Sequence, residues 1–367
     1  MPLIGGGASN AGGTLELGLR SGDLIGRFDL LALAAIGSSG APRGGALAAS
    51  FRGLPVDLGL HAFDVRELPS RQAGSVPAAA AAGVLDLERR GLDASAEWRR
   101  QAPGERLRLR ASLLWQRLAA AAPDPPAAMP AVASAAAGLS SAGAVGLPAR
   151  GGADEGVAAV DGGYRLARRY GLWRLDGGLD ARLATGTAGT AGTAGTAGTM
   201  GTAGGGGGSR SWARYGGEAL LAVRLKDTRL QLDWRRDGSR RVTRAFDLYQ
   251  LGGAATSLLP PAALAPRIVS PALPAATLLG AEHEEERVEL EPGLLPVPLF
   301  FERHRLWGGL LLHPAEITLG GLEFRWSTRP VPLVRLPAVE LRLGVARVFS
   351  DPFADRTRWW LTTVWQP

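Results

Sequence analysis

Leu92-Asp93-Ala94-Ser95-Ala96-Glu97-Trp98-Arg99, a turn at Ala102-Pro103-Gly104, and a return through Arg106-Leu107-Arg108-Leu109-Arg110-Ala111-Ser112-Leu113-Leu114-Trp115-Gln116 form the stretch that decides how this chain folds. Successive side chains of a β-strand point to opposite faces. In the first segment Leu92, Ala94, Ala96 and Trp98 share one face, and Asp93, Ser95, Glu97 and Arg99 the other. In the return, Leu107, Leu109, Ala111, Leu113 and Trp115 oppose Arg106, Arg108, Arg110, Ser112 and Gln116. Wound as helices, these segments would scatter their charges around the cylinder and leave no apolar stripe to bury. The pair is predicted to be a hairpin with one apolar and one charged face.

The alternation recurs. Trp173, Leu175, Leu179, Ala181 and Leu183 oppose Arg174, Asp176, Asp180 and Arg182, and Ala219, Leu221, Val223 and Leu225 oppose Glu218, Arg224 and Lys226. After a turn at Asp227, Leu230, Leu232 and Trp234 oppose Arg229, Gln231, Asp233 and Arg235. Further strands are expected over 54–60, 85–89, 287–290, 317–326 and 339–349. A soluble sandwich also alternates, so what fills each face must decide. Many segments run about 9 to 12 residues, enough for a tilted strand to cross hydrocarbon. The apolar rows carry a tryptophan near one end (Trp98, Trp115, Trp234, Trp326), as an interfacial aromatic girdle would. Short turns also alternate with long irregular connections. The expected fold is all-β, a transmembrane antiparallel up-and-down barrel of about 14 strands, range about 12 to 16. It fills one domain over 1–367, with long external loops at 119–155, 185–210 and 252–286. The charged rows, Glu97, Arg99, Arg106, Arg108, Arg110, Arg174, Asp176, Asp180 and Arg182, are expected to line its lumen.

Composition agrees. With 52 Gly, 25 Pro and 6% aromatic residues among 367, the chain is poorly supplied for a large close-packed soluble core, which a wet barrel does not need. Of the 41 basic residues Lys226 is the only lysine, a bias that fits a GC-rich genome. A net charge of +7 can suit nucleic acid, but that requires basic residues gathered on one face. Here arginines share their rows with Asp and Glu, so no nucleic-acid partner is expected. Without cysteine there is neither disulfide framework nor thiolate metal site. The Ala-rich stretch from Leu118 to Pro148 is broken by Pro123, Pro125, Pro126 and Pro130, so no membrane-spanning helix is expected. Met1 to Gly13 has neither basic leader nor apolar core, so an export signal or N-terminal domain is expected to be missing.

The loops differ in character. From Thr185 to Ala203 the chain repeats Thr-Ala-Gly and continues as Gly204 to Gly208, a tract without the surface to fold. No Gly-Lys-Ser/Thr ending makes it a phosphate cradle. The stretch Ser257 to Glu286 instead carries Leu258, Leu259, Ile268, Val269 and Leu273 among prolines, and is expected to fold over or into the barrel mouth. Its acidic end, Glu282 to Glu286, is expected to reach lumenal arginines between Leu107 and Trp115; a mobile external loop with a solvated acidic tip is the alternative.

No catalytic, cofactor-binding or metal-ligating residue is assigned and no cofactor is expected. His61, His283, His304 and His313 have no nucleophile motif beside them, and both the Gly-x-Ser-x-Gly elbow and His-Glu-x-x-His are absent. His283 with Glu282, Glu284, Glu285 and Glu286 offers hard oxygen ligands for a divalent cation, but consecutive residues seldom point at one centre, which favours a solvated acidic loop. The arginine rows can form an anion-selective constriction; the interleaved acids argue instead for a ladder of paired charges.

Phe51-Arg52-Gly53-Leu54-Pro55-Val56-Asp57-Leu58, Pro266-Arg267-Ile268, Pro271-Ala272-Leu273-Pro274, Phe301-Glu302-Arg303-His304-Arg305-Leu306-Trp307, Gly344-Val345-Ala346 and Asp351-Pro352-Phe353 resemble the C-terminal barrel that follows a TolB-like β-propeller in envelope proteins of unassigned function. The resemblance implies an upstream propeller as a partner. The ending Arg358-Trp359-Trp360-Leu361-Thr362-Thr363-Val364-Trp365 resembles the aromatic signal read by outer-membrane assembly machinery, although it closes on Gln366-Pro367. The expected location is the bacterial outer membrane, with lipid bilayer and lipopolysaccharide as surroundings. The expected role is an anchor or a passive or gated conduit. An enzyme on the same wall and a secreted adhesive β-protein are the alternatives.

Overall fold

The computed structural model describes residues 2–9, 12–23, 26–38, 42–67, 86–121, 153–190, 210–241, 248–253, 256, 258–270, 272–273, 278–293, 297–309, 313–327, 338–350 and 356–366. Eleven strands come first: β1 (Pro2–Ser9), β2 (Gly12–Gly22), β3 (Phe28–Gly37), β4 (Pro42–Phe51), β5 (Asp57–Glu67), β6 (Asp86–Ala102), β7 (Glu105–Ala121), β8 (Ala153–Tyr170), β9 (Trp173–Thr190), β10 (Arg210–Leu225) and β11 (Thr228–Arg240). A small insert follows, made of β12 (Tyr249–Leu251), the one-turn helix α1 (Pro261–Leu264), β13 (Arg267–Ile268) and β14 (Leu278–Gly280). The wall then resumes with β15 (Glu282–Glu291), β16 (Leu299–Trp307), β17 (Ala315–Ser327), β18 (Ala338–Val348) and β19 (Arg356–Gln366). Every wall strand pairs antiparallel with its neighbours, and β1 against β19 closes a sixteen-stranded barrel.

Sixteen is the top of the expected range. The Gly- and Ala-rich stretch 2–51 supplies β1 to β4, whose small residues on both faces blur the alternation there. The closing seam is short, pairing Gly6–Ser9 with Trp360–Thr363. Gly6 sits at φ +129°, where an added Cβ would lie 2.1 Å from the Thr14 carbonyl oxygen, so the bend entering the seam requires glycine.

The expected hairpin forms in register, Glu97 opposite Arg110 and Leu92 opposite Trp115, around the turn at Pro103-Gly104. Burial is inverted relative to a soluble protein. Leu113 is 67% exposed and faces outward, while Asp93 is 1% exposed and faces inward. The outward rows continue through Leu60, Leu109, Val160, Leu179, Leu183, Leu221, Leu232 and Leu343, all exposed. An apolar exterior of this extent is stable in the hydrocarbon of a bilayer and not in water. Trp98 and Trp326 lie toward the end carrying the short turns, Trp115 toward the other and Trp234 at the middle of β11, all on outward rows.

β6 to β9 run 17 or 18 residues, longer than a bilayer crossing needs. The excess projects at the long-loop end, where the outward row turns charged: Asp64 with Arg90 (2.6 Å), Arg117, and on the far side Arg236, Glu282, Glu284, Glu286, Arg303, Arg305 and Glu316. This corrects the expected loop limits. β7 runs to Ala121 and β8 starts at Ala153, so both ends of the expected 119–155 loop are strand while 122–152 lie outside the described residues, and β9 takes in the first repeats up to Thr190. The rest of the repeat, 191–209, lies outside the described residues. Beyond the membrane a strand has no reason to alternate, so the pattern loses sight of it.

The termini and the turns at Gly104, Gly171 and Lys226-Asp227 share one end of the barrel. A cysteine at Asp227 should therefore react with a membrane-impermeant maleimide only after cells are permeabilised, whereas one at His313 should react on intact cells. The reverse pattern would turn the barrel over.

Candidate functional site

The inner rows change character along their length. β7 reads Arg106, Arg108, Arg110 and Ser112, then Leu114, Gln116 and Leu118; β18 reads Glu340 and Arg342, then Gly344, Ala346 and Val348. In β17, inward Arg325 and Glu323 give way to Leu319 and Ile317. The exposed charges lie at the short-turn end, while the long-loop end is mostly apolar with buried polar groups such as Glu16, Arg89 and Glu155 set among the apolar side chains. Apolar side chains pointing into a lumen need something to cover them.

The insert between β11 and β15 covers them. On one side Leu258, Leu259 and Ala263 pack with inward Leu33, Phe63, Val65, Leu114, Val157 and Trp212, drawn from β3 to β10. On the other, Tyr249, Leu251, Ile268, Leu273 and Leu278 pack with Leu306, Ile317, Leu319, Ala346, Val348 and Trp360 from β16 to β19. The insert thus meets both walls and crosses the lumen. β12 pairs parallel with β13 and antiparallel with β14, and the Gly252 and Gly253 amides donate to the Ile268 and Leu273 carbonyls at 2.9 Å.

Polar latches fix this plug to the wall. His61 Nε2 donates to the Leu258 carbonyl at 3.0 Å, and Arg89 Nη1 to the Ala263 carbonyl at 3.1 Å. Thr256 Oγ1 donates to Glu16 Oε1 at 3.2 Å, and the Tyr249 hydroxyl to the Gly238 carbonyl at 3.2 Å. Burial raises the Tyr249 phenol well above its ordinary range, so it remains a donor. The expected docking of this segment into the mouth thus describes where it lies, with one correction: Glu282 to Glu286 are wall residues of β15, not its acidic end. Glu282, Glu284 and Glu286 pair with Arg236, Arg305 and Arg303 rather than with the arginines of β7.

Below the plug the inner face is charged, and the strand alternation puts Glu97, Arg99, Arg106, Arg108, Arg110, Arg174, Asp176, Asp180 and Arg182 on the face opposite the outward rows. Arg108 Nη2 lies 3.7 Å from Asp161 and 3.8 Å from Asp180, which also takes Arg165 at 2.5 Å. Arg110 is 3.5 Å from Asp93, Arg174 is 2.9 Å from Asp176, and Arg99 pairs with Glu97. Arg106 and Arg182 are exposed to the lumen. A second ion network spans β15 to β17: Arg325 grips both oxygens of Glu289 at 2.7 Å, Arg287 joins Glu289 at 2.9 Å, and Arg287 also pairs with Glu302. Two inward tryptophans escaped the sequence reading. Trp212 Nε1 donates to Glu155 at 2.7 Å under the guanidinium of Arg214, and Trp360 packs edge-on against Phe300.

A sixteen-stranded closed barrel with this exterior is similar in fold to solved structures. BamA from Haemophilus ducreyi lacking POTRA domains 1-3 superposes over 100% of this chain and 70% of its own, with a TM-score of 0.55 at 10% identity. CdiB from Acinetobacter baumannii (98% of this chain, 58% of its own, TM-score 0.51, 10% identity) and CdiB from Escherichia coli (100%, 63%, 0.50, 12%) are similar to it as well. The fold is that of outer-membrane β-barrels. At these identities the likeness is one of fold, and the chain spans less than two thirds of either CdiB. No protein-family model matches the sequence, and no curated protein is similar to it.

Proposed function

We propose that this chain is an integral outer-membrane barrel that acts as a gated conduit, shut at the long-loop mouth by its own insert and open as a charged vestibule at the other end. The observation that carries the reading is the change in the inner rows: charged and solvated below, apolar and covered above. An anchor has no use for a wet vestibule built from nine charged positions. A permanently open pore has no use for a plug whose Leu258 and Leu251 are fully buried. Barrels of 16 strands enclose an aqueous channel unless something fills them, so removal of the plug is sufficient to open a path. What crosses is a solute tolerant of both signs of charge, since the vestibule pairs its arginines with acids.

Reconstitution of the full chain in planar bilayers tests this. The expected record is a closed baseline with infrequent stepwise openings that report plug release. Steady large conductance from the unmodified protein would overturn the gate.

A further inference from the structure

His283 and Glu285 are alternate residues on the inner face of β15, and the register sets His304 of β16 directly across from Glu285. Three possible ligand atoms, one from each residue, lie within 4.8 Å of one another. The two imidazoles face each other, His283 Nε2 to His304 Nδ1, at 3.4 Å. Both rings are out of solvent, at 0% and 1% exposure.

The outer nitrogens explain why that geometry matters. His283 Nδ1 lies 3.5 Å from Asp237 Oδ2, its cross-strand neighbour on β11, and His304 Nε2 lies 3.4 Å from Glu302 Oε2. A carboxylate behind an imidazole holds the proton on the nearer nitrogen and leaves the lone pair on the farther one. With the protons on those outer nitrogens, the lone pairs of His283 Nε2 and His304 Nδ1 face each other across 3.4 Å. Two lone pairs facing at this distance repel unless a cation sits between them. Nitrogens bound at about 2.0–2.1 Å around a tetrahedral zinc-class ion stand about 3.3–3.4 Å apart, close to the separation found. The arginines nearby are committed elsewhere, Arg235 to Asp237 and Arg287 to Glu289 and Glu302. Glu285 has no arginine within ion-pair distance among the described residues.

We infer that His283, Glu285 and His304 form a binding site for one divalent transition-metal ion of the zinc class. Asp237 and Glu302 orient the two imidazoles, and the fourth coordination position is left to water. The site is on the wall just beneath the plug, since Leu306, two residues from His304, packs with Tyr249, Leu251 and Leu278. Two imidazoles and a carboxylate select zinc, cobalt, nickel or copper over magnesium or calcium. Because the ligands must shed protons to bind, affinity falls as pH drops through the histidine range.

The full-length barrel, folded in detergent and stripped with a chelator, is titrated with cobalt and with zinc. One equivalent should bind, with tetrahedral cobalt absorption and a raised unfolding temperature, and magnesium should do neither. His283→Ala and His304→Ala should each abolish stoichiometric binding, and Glu285→Gln should weaken it by about 10-fold or more. His313→Ala, at an exposed site, should leave it unchanged. Heat-modifiable migration reports whether each variant has folded. Should the histidine variants fail to fold, copper resonance of the wild-type protein decides alone: two coupled nitrogens are expected. Absence of binding by the folded wild-type chain, or binding that survives in the folded double-histidine variant, would leave a protonated His304 bridging to His283 as the account of the pair.

Discussion

Replacing Leu258 and Leu273 together by aspartate is expected to turn a mostly closed barrel into one with large, persistent conductance steps. The two side chains are 0% and 1% exposed and lie on opposite flanks of the insert, one packed against β3 to β10 and the other against β16 to β19. Truncating a buried leucine to alanine costs about 2–5 kcal/mol, and a carboxylate left in the pocket adds its own desolvation cost. Moving a two-state equilibrium from 1:99 to 99:1 takes about 5.5 kcal/mol, so the pair reaches the scale needed to unseat the plug. The wall should survive, because its ladder runs from strand to strand without the insert, pairing β11 directly with β15. Heat-modifiable migration checks that. Single latch variants such as Arg89→Leu remove one bond to the Ala263 carbonyl and should raise only the frequency of opening. A doubly substituted barrel that is folded but silent would refute the gate and leave an anchor.

The same two-part lumen explains how far the sequence could be read. Strands within the hydrocarbon must be apolar outside and polar inside, so the rows around Leu109, Leu179 and Leu232 announce themselves. Two places broke the rule for physical reasons. Above the membrane the outer face of the wall is charged and the inner face of β15 is polar though buried, so Glu282 to Glu286 showed no apolar-polar alternation and read as a loop, which hid His283 and Glu285 from a partner one strand away. Under the plug both faces are apolar, so Leu113-Leu114 and Val345-Ala346 read as noise in the pattern. That second break carried a usable signal. The inner rows of β5, β7, β17 and β18 all exchange charge for Val, Leu, Ile or Phe at the long-loop end, and a consistent exchange across distant strands means that something apolar fills the mouth. Register between strands, which brings His304 to Glu285, is not encoded in either segment alone. That pairing depends on the connection between β15 and β16, and the pairing of His283 with Asp237 on an insert of 41 residues between β11 and β15.

The bilayer itself provides the sharpest test of which face is which. Leu109→Arg should destabilise the folded barrel by ~2–4 kcal/mol, the cost of a cation on the lipid face near the midplane. Leu109 is 47% exposed on the outward row, one position along that row from Ala111, the centre of the apolar stretch running from Leu107 to Trp115. An arginine there has a short path to neither interface. Its sequence neighbour offers the contrast. Arg108 points inward, with 46% of its side chain exposed and its nearest carboxylates, Asp161 and Asp180, at 3.7 and 3.8 Å. Half-solvated pairs of that length contribute only about 0–1 kcal/mol, and a leucine in the wet vestibule costs little, so Arg108→Leu should change stability by about 1 kcal/mol or less. Denaturant titration in lipid vesicles of matched thickness measures both. The difference between adjacent positions, rather than either value, identifies the lipid face, and equal effects would mean that the two rows have exchanged solvents.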